Sequence, residues 1–137
     1  MEKSNTRIQV GRFMYFLLAA LFAGAVIAQV FLAGMGTFVN PSHWSQHVML
    51  IHLFGFNVPL FMLLFAWIGS MPRWAYWQLL SLFILIFGMY FTANMTGLAT
   101  WVGAMHPVLA LLLTAVACIN VLHAWKLILK QKGGDLI

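Results

Sequence analysis

Four apolar runs divide the chain, separated by short clusters of turn-forming, polar or aromatic residues. The first opens at Phe13 and ends near Val39, where Asn40 and Pro41 interrupt it; the second continues to Ile68 and stops at Gly69-Ser70-Met71-Pro72. The third runs from Trp74 to Asn94, and after a connection from Thr96 to about Thr100 the fourth extends from Trp101 to Trp125. A helix crosses about 30 Å of hydrocarbon with about 20 apolar residues, so each run predicts a membrane span. Asn40 suits the capping position and Pro41 the first turn of the second helix. Trp74, Tyr76 and Trp77 read as an interfacial aromatic belt. Connections this short make sequential helices antiparallel neighbours. The pattern therefore predicts an all-α, integral membrane four-helix up-down bundle, one membrane domain over residues 1–137, with spans of about 13–39, 41–68, 74–94 and 101–125. Pro107 leaves two starts open for the fourth helix: Trp101 with a kink, or Met105 after an irregular segment.

Composition removes the soluble alternative. The chain is 64% hydrophobic and 7% charged, with a mean hydropathy of +0.96, whereas soluble domains carry roughly 25% charged residues. The net charge of +5 takes its meaning from its placement. Lys3, Arg7 and Arg12 precede the first run, Arg73 lies between the second and third, and Lys126, Lys130 and Lys132 follow the fourth. With four spans these positions share one side, which predicts cytoplasmic N- and C-termini by the positive-inside rule. The basic ends are placed to meet anionic headgroups of the lipid bilayer, and no nucleic-acid partner is predicted. Residues 1–28 resemble a signal peptide, but the apolar run reaches Phe38, far past a signal core of about 7–15 residues, so the segment is read as a span. Cys118 stands alone in an apolar run, which excludes a disulfide framework or CxxC motif.

Polar side chains inside hydrocarbon are costly, so those present mark function by default. The predicted spans hold no Asp or Glu, which argues against carboxylate-dependent drug exporters and acid-lined channels. They do hold histidine, together with Gln29, Asn57, Asn94 and Asn120. The basic residues serve as a depth ruler. Gln29 lies 17 residues beyond Arg12, His52 and Asn94 each 21 from Arg73, and His106 20 before Lys126. At 1.5 Å per residue these four form one layer about 25–32 Å from the basic line. Two neutral imidazoles at equal depth on two helices suit the axial positions of a haem b iron, each needing an acceptor for its other N–H. His52 and His106 are the candidate ligands, with His47 the substitute for His52 if the helix register differs. Gly55 and Gly103, one turn away, would let a macrocycle approach the backbone; Met49, Phe56 and Met105 are apolar packing candidates. Gln29 and Asn94 are candidate polar contacts to the cofactor.

The same layer also suits a structural role, with His, Gln and Asn bonding across helices or reaching headgroup water. His43 and His47 share a helix face, but two donors make half a metal site. His123 stands at the opposite end with no histidine at its depth, so a second haem is not predicted; a helix C-terminus accounts for its placement. No catalytic residue is predicted, since serine lacks a base and no phosphate-cradling glycine loop occurs. Three functions stay open. The first is a haem-b electron carrier exchanging electrons with a quinone or another redox partner. The second is a non-catalytic accessory or assembly subunit, for which Ala20, Gly24 and Ala28 form a smooth packing stripe within the bundle or in a homodimer. The third is a small transporter using the polar layer.

Three short pieces carry a resemblance: Gln29-Val30-Phe31-Leu32-Ala33-Gly34, His52-Leu53-Phe54-Gly55 and His106-Pro107-Val108. Through them the chain resembles an uncharacterised bacterial family of small four-span membrane proteins, a domain of unknown function, which implies a four-helix membrane fold and no established activity. The histidines on paired helices also resemble, in architecture alone, those of membrane b-type cytochromes.

Overall fold

The computed structural model describes residues 6–95, 97 and 99–134. Lys3, Thr96 and the side chain of Lys132 lie outside the described residues. Five helices follow one another: α1 Thr6–Phe38, α2 His43–Phe54, α3 Asn57–Ile68, α4 Arg73–Asn94 and α5 Thr100–Gly134. With α2 and α3 as halves of one span, four segments are long and apolar enough to cross a membrane: Thr6–Phe38, His43–Ile68, Arg73–Asn94 and Thr100–Gln131. The molecule is an all-α four-helix bundle of a multi-span membrane protein. Each span packs on the next, and α1 closes the ring against α5.

The core repeats at coiled-coil spacing. Tyr15, Ala19, Phe22 and Val26 on α1, Ala75, Leu79, Leu82 and Ile86 on α4, and Leu113, Ala117, Asn120 and Ala124 on α5 are all buried. Steps of four, three and four residues keep one seam inward along helices inclined by about 20°. Val58, Met62 and Ala66 complete the seam from α3, while α2 buries no residue. The small-residue stripe predicted on α1 is not this seam. Ala20 and Gly24 are exposed, and a Cβ at Gly24 would meet nothing within 4 Å.

The closest helix contact lies at the end that carries the basic residues. A Cβ on Gly69 would stand 2.7 Å from the backbone nitrogen of Arg12 and 2.8 Å from the carbonyl carbon of Gly11, and a Cβ on Gly11 would run into the Gly69 backbone. Arg12 locks this crossing, its Nε donating to the Gly69 carbonyl at 3.0 Å and its Nη1 to Gln131 Oε1 at 3.5 Å. One side chain thus ties α1 to the α3–α4 turn and to α5. The turn is a Schellman motif, with Ser70 N–H donating to Trp67 O at 3.1 Å and Met71 N–H to Ala66 O at 2.9 Å. Its left-handed position is Ser70, at φ 44°. A side chain there costs roughly 1–2 kcal/mol relative to glycine, so Ser70→Gly is expected to raise the unfolding free energy by about 1 kcal/mol in detergent, measured by chemical denaturation.

Two expectations for the second span need correction. Its helix begins at His43 rather than 41, because residues 40–45 first make tight three-residue turns: His43 N–H to Asn40 O, Trp44 to Pro41 and Ser45 to Ser42. Asn40 Oδ1 still accepts a backbone N–H, from Ser42 at 2.9 Å. The span is also not one continuous helix; it breaks at Gly55 and Phe56. Pro59 has no N–H to offer the Gly55 carbonyl, and its ring crowds that carbonyl. Asn57 Nδ2 then donates to Leu53 O at 2.8 Å and His52 O at 3.4 Å, covering carbonyls exposed by the break. Gly103 and Pro107 repeat the same four-residue spacing in α5, yet that helix starts at Thr100 and carries Pro107 inside it.

Candidate functional site

At the end away from Arg12, two histidines bond across helices, one joining α2 to α1 and the other joining α5 to α4. His47 on α2 places Nδ1 3.1 Å from the Gln29 backbone carbonyl on α1. A carbonyl only accepts, so Nδ1 carries the proton and Nε2 keeps its lone pair. On the other side, His106 Nδ1 on α5 lies 3.0 Å from the Thr92 hydroxyl on α4. That hydroxyl also stands 2.9 Å from Gly88 O and 3.1 Å from Met89 O. Its bond to His106 takes its direction from the tautomer: with Nδ1 protonated, the hydroxyl oxygen accepts and Nε2 keeps the lone pair. Both imidazoles are half-buried.

The neighbourhood holds the pair from outside. Trp44 sets its ring edge-on to His47 at 5.5 Å and packs on Gly36, where a Cβ would meet the indole at 2.9 Å. The Gln29 carboxamide is buried with neither Nε2 nor Oε1 hydrogen-bonded. Beside it is a small cleft, a cavity of about 10 Å³, lined by Phe22, Val26, Gln29, Ile51, Phe54 and Gly55 among others.

The residues singled out from the sequence separate here. His106 bonds Thr92 on α4, and the Gln29 backbone bonds His47 on α2. His52 is exposed and faces Tyr90, with Nδ1 3.5 Å from the phenol oxygen and the rings 6.0 Å apart. Asn94 turns back on its own helix, Nδ2 donating to Tyr90 O at 2.8 Å. Gly55 opens no space, because a Cβ there would strike the Ile51 carbonyl at 2.6 Å; Gly103 is half-buried. Met49 and Met105 are exposed, and Phe56 stacks on Tyr90 at 5.5 Å and Phe83 at 6.3 Å. His43 bonds Gln46, Nδ1 to Oε1 at 2.8 Å. Among the described residues no three His, Cys, Asp or Glu side chains group as metal ligands. Sequence reasoning missed Thr92, whose position 14 residues before His106, across a short connection, was the available signal. It also missed that His123 has company, with Gln78 Nε2 2.9 Å from its Nδ1 and Trp74 edge-on at 5.2 Å.

No curated protein and no solved structure matches the chain. Residues 29–97, which include Gln29, His47 and Thr92, match a family of unknown function (DUF6220). That segment is half of the chain, and the protein belongs to this family.

Proposed function

We propose that this protein is a small membrane electron carrier that holds one haem b through His47 and His106. The observation behind this reading is that each Nδ1 is held by a group on a neighbouring helix, His47 by Gln29 O and His106 by the Thr92 hydroxyl; with Nδ1 protonated in both, each Nε2 is a donor atom. Metal-ligating histidines are oriented in this way by their other nitrogen. Two imidazoles fall short of the four ligands of a zinc site, while His47 and His106 would suffice as the protein's ligands to a haem iron. The reading replaces His52, which is exposed and faces Tyr90, with His47.

The donor set fits this group better than the space does. The cleft beside Gln29 is lined by neither His47 nor His106, and its cavity volume of about 10 Å³ is far below the roughly 300–1,000 Å³ of typical ligand pockets. Entry therefore requires α2 to swing outward. This half-span buries no residue and is jointed at Gly55 and Phe56. The unpartnered Gln29 carboxamide is placed to bond a polar edge of the bound group. When bound, haem supplies one-electron redox chemistry; the chain supplies two imidazoles, a half-dry setting and an apolar exterior. We further propose that both termini are cytoplasmic, as the basic residues imply, in a bacterial plasma membrane. The site then lies near the outer face, where a quinol or a redox partner can reach it.

Titrating haem into the detergent-purified protein tests the proposal. The expected result is a Soret shift that saturates at one haem per chain. Titration that follows free haem in micelles would sink it. The second reading, a non-catalytic accessory subunit, is favoured by one observation: Ala20 and Gly24 face outward, open to another helix or a second copy. It predicts co-purification with a membrane partner that is lost in Gly24→Leu.

A further inference from the structure

A second polar group lies toward the basic end, and it is independent of the haem reading. Tyr15, fully buried, donates from its hydroxyl to Asn120 Oδ1 at 2.9 Å. Asn120 is 1% exposed, and its Nδ2, with two protons to donate, has no partner. On the facing helix, Gln78 Oε1 is buried and also without a partner, while its Nε2 reaches His123 Nδ1 at 2.9 Å. Asn120 and His123 are three residues apart on α5 and so are neighbours on its surface. The Gln78 amide therefore stands beside the turn that carries Asn120. One orphan is a donor and the other an acceptor, on helices in contact, and no direct bond joins them.

We propose that a single ordered water bridges Asn120 Nδ2 and Gln78 Oε1. Water accepts from the first and donates to the second, as buried waters do for otherwise unsatisfied groups. The bridge completes a hydrogen-bonded line from Tyr15 through Asn120, the water and Gln78 to His123, which is exposed. The line leads from the core of the bundle to its surface near the basic end. This pair is thus a hydration site between α4 and α5.

Two measurements on the full chain in detergent test the site. In NMR of the wild-type protein, magnetisation transfer from water to the Asn120 side-chain amide protons is expected; none would overturn the proposal. The second is a stability cycle of Asn120→Leu, Gln78→Leu and the double variant. With a bridge, each single change strands the other group, and the two combine non-additively, by roughly tenfold in the unfolding constant. Without it, each variant still loses a direct bond, Tyr15 to Asn120 or Gln78 to His123, but the two effects add; additivity also overturns the proposal. Should a variant fail to fold, the wild-type transfer experiment still decides.

Discussion

Gly69→Val is expected to destabilise the bundle by about 3 kcal/mol, at the upper range for overpacking. The effect is steric. Gly69 has φ −81°, open to any residue, but a Cβ there would stand 2.7 Å from the Arg12 backbone nitrogen, with Gly11 on the same side. Backbone cannot rotate away as a side chain can, so α1 and the α3–α4 turn must separate. Separation also breaks the Arg12 bond to Gly69 O and loosens the hold on α5 through Gln131. Gly24→Val is the control, since its side chain would enter open space. Unfolding in mixed micelles, followed by tryptophan fluorescence, should separate the two variants clearly; equal stability would contradict the packing described.

The second large effect concerns the histidine pair. His47→Ala and His106→Ala are each expected to abolish haem binding, while His52→Ala leaves it intact. Thr92→Val, which removes the acceptor for His106 Nδ1 while keeping the shape, should weaken binding by about 10–100-fold, the usual cost of losing a partner that orients a metal-binding histidine. Binding titrations of the four variants measure this ordering. Loss in His52→Ala with retention in His47→Ala would reverse the assignment.

The spans were legible in the sequence because hydropathy and turn residues report directly on the bilayer. The packing face was less so. In a bilayer the lipid side of a helix is as apolar as the core side, so no polar face marks orientation. The evenly spaced Ala20, Gly24 and Ala28 read as a seam, while the seam in fact runs one residue away through Tyr15, Ala19, Phe22 and Val26. The depth ruler met a related limit. It counts residues along the axis and ignores rotation about it. Five residues at 100° each set His52 about 140° around α2 from His47, so the two cannot share a face. The ruler also counted through the break at Gly55 and Phe56 as if the span were one rod. Pro59 was the visible signal for that break, but proline is tolerated in membrane helices often enough that its presence alone does not predict one. Gly55 was read as room for a cofactor; its physical role is to stand four residues before Pro59.

The central claim, that His47 and His106 form a haem site, is tested most directly by the visible spectrum of the protein purified from haem-replete cells, recorded oxidised and then dithionite-reduced. A Soret band with sharp α and β peaks on reduction is expected, absent in His47→Ala and His106→Ala and present in His52→Ala. A colourless wild-type protein, or colour that survives in both of the first two variants, would contradict it.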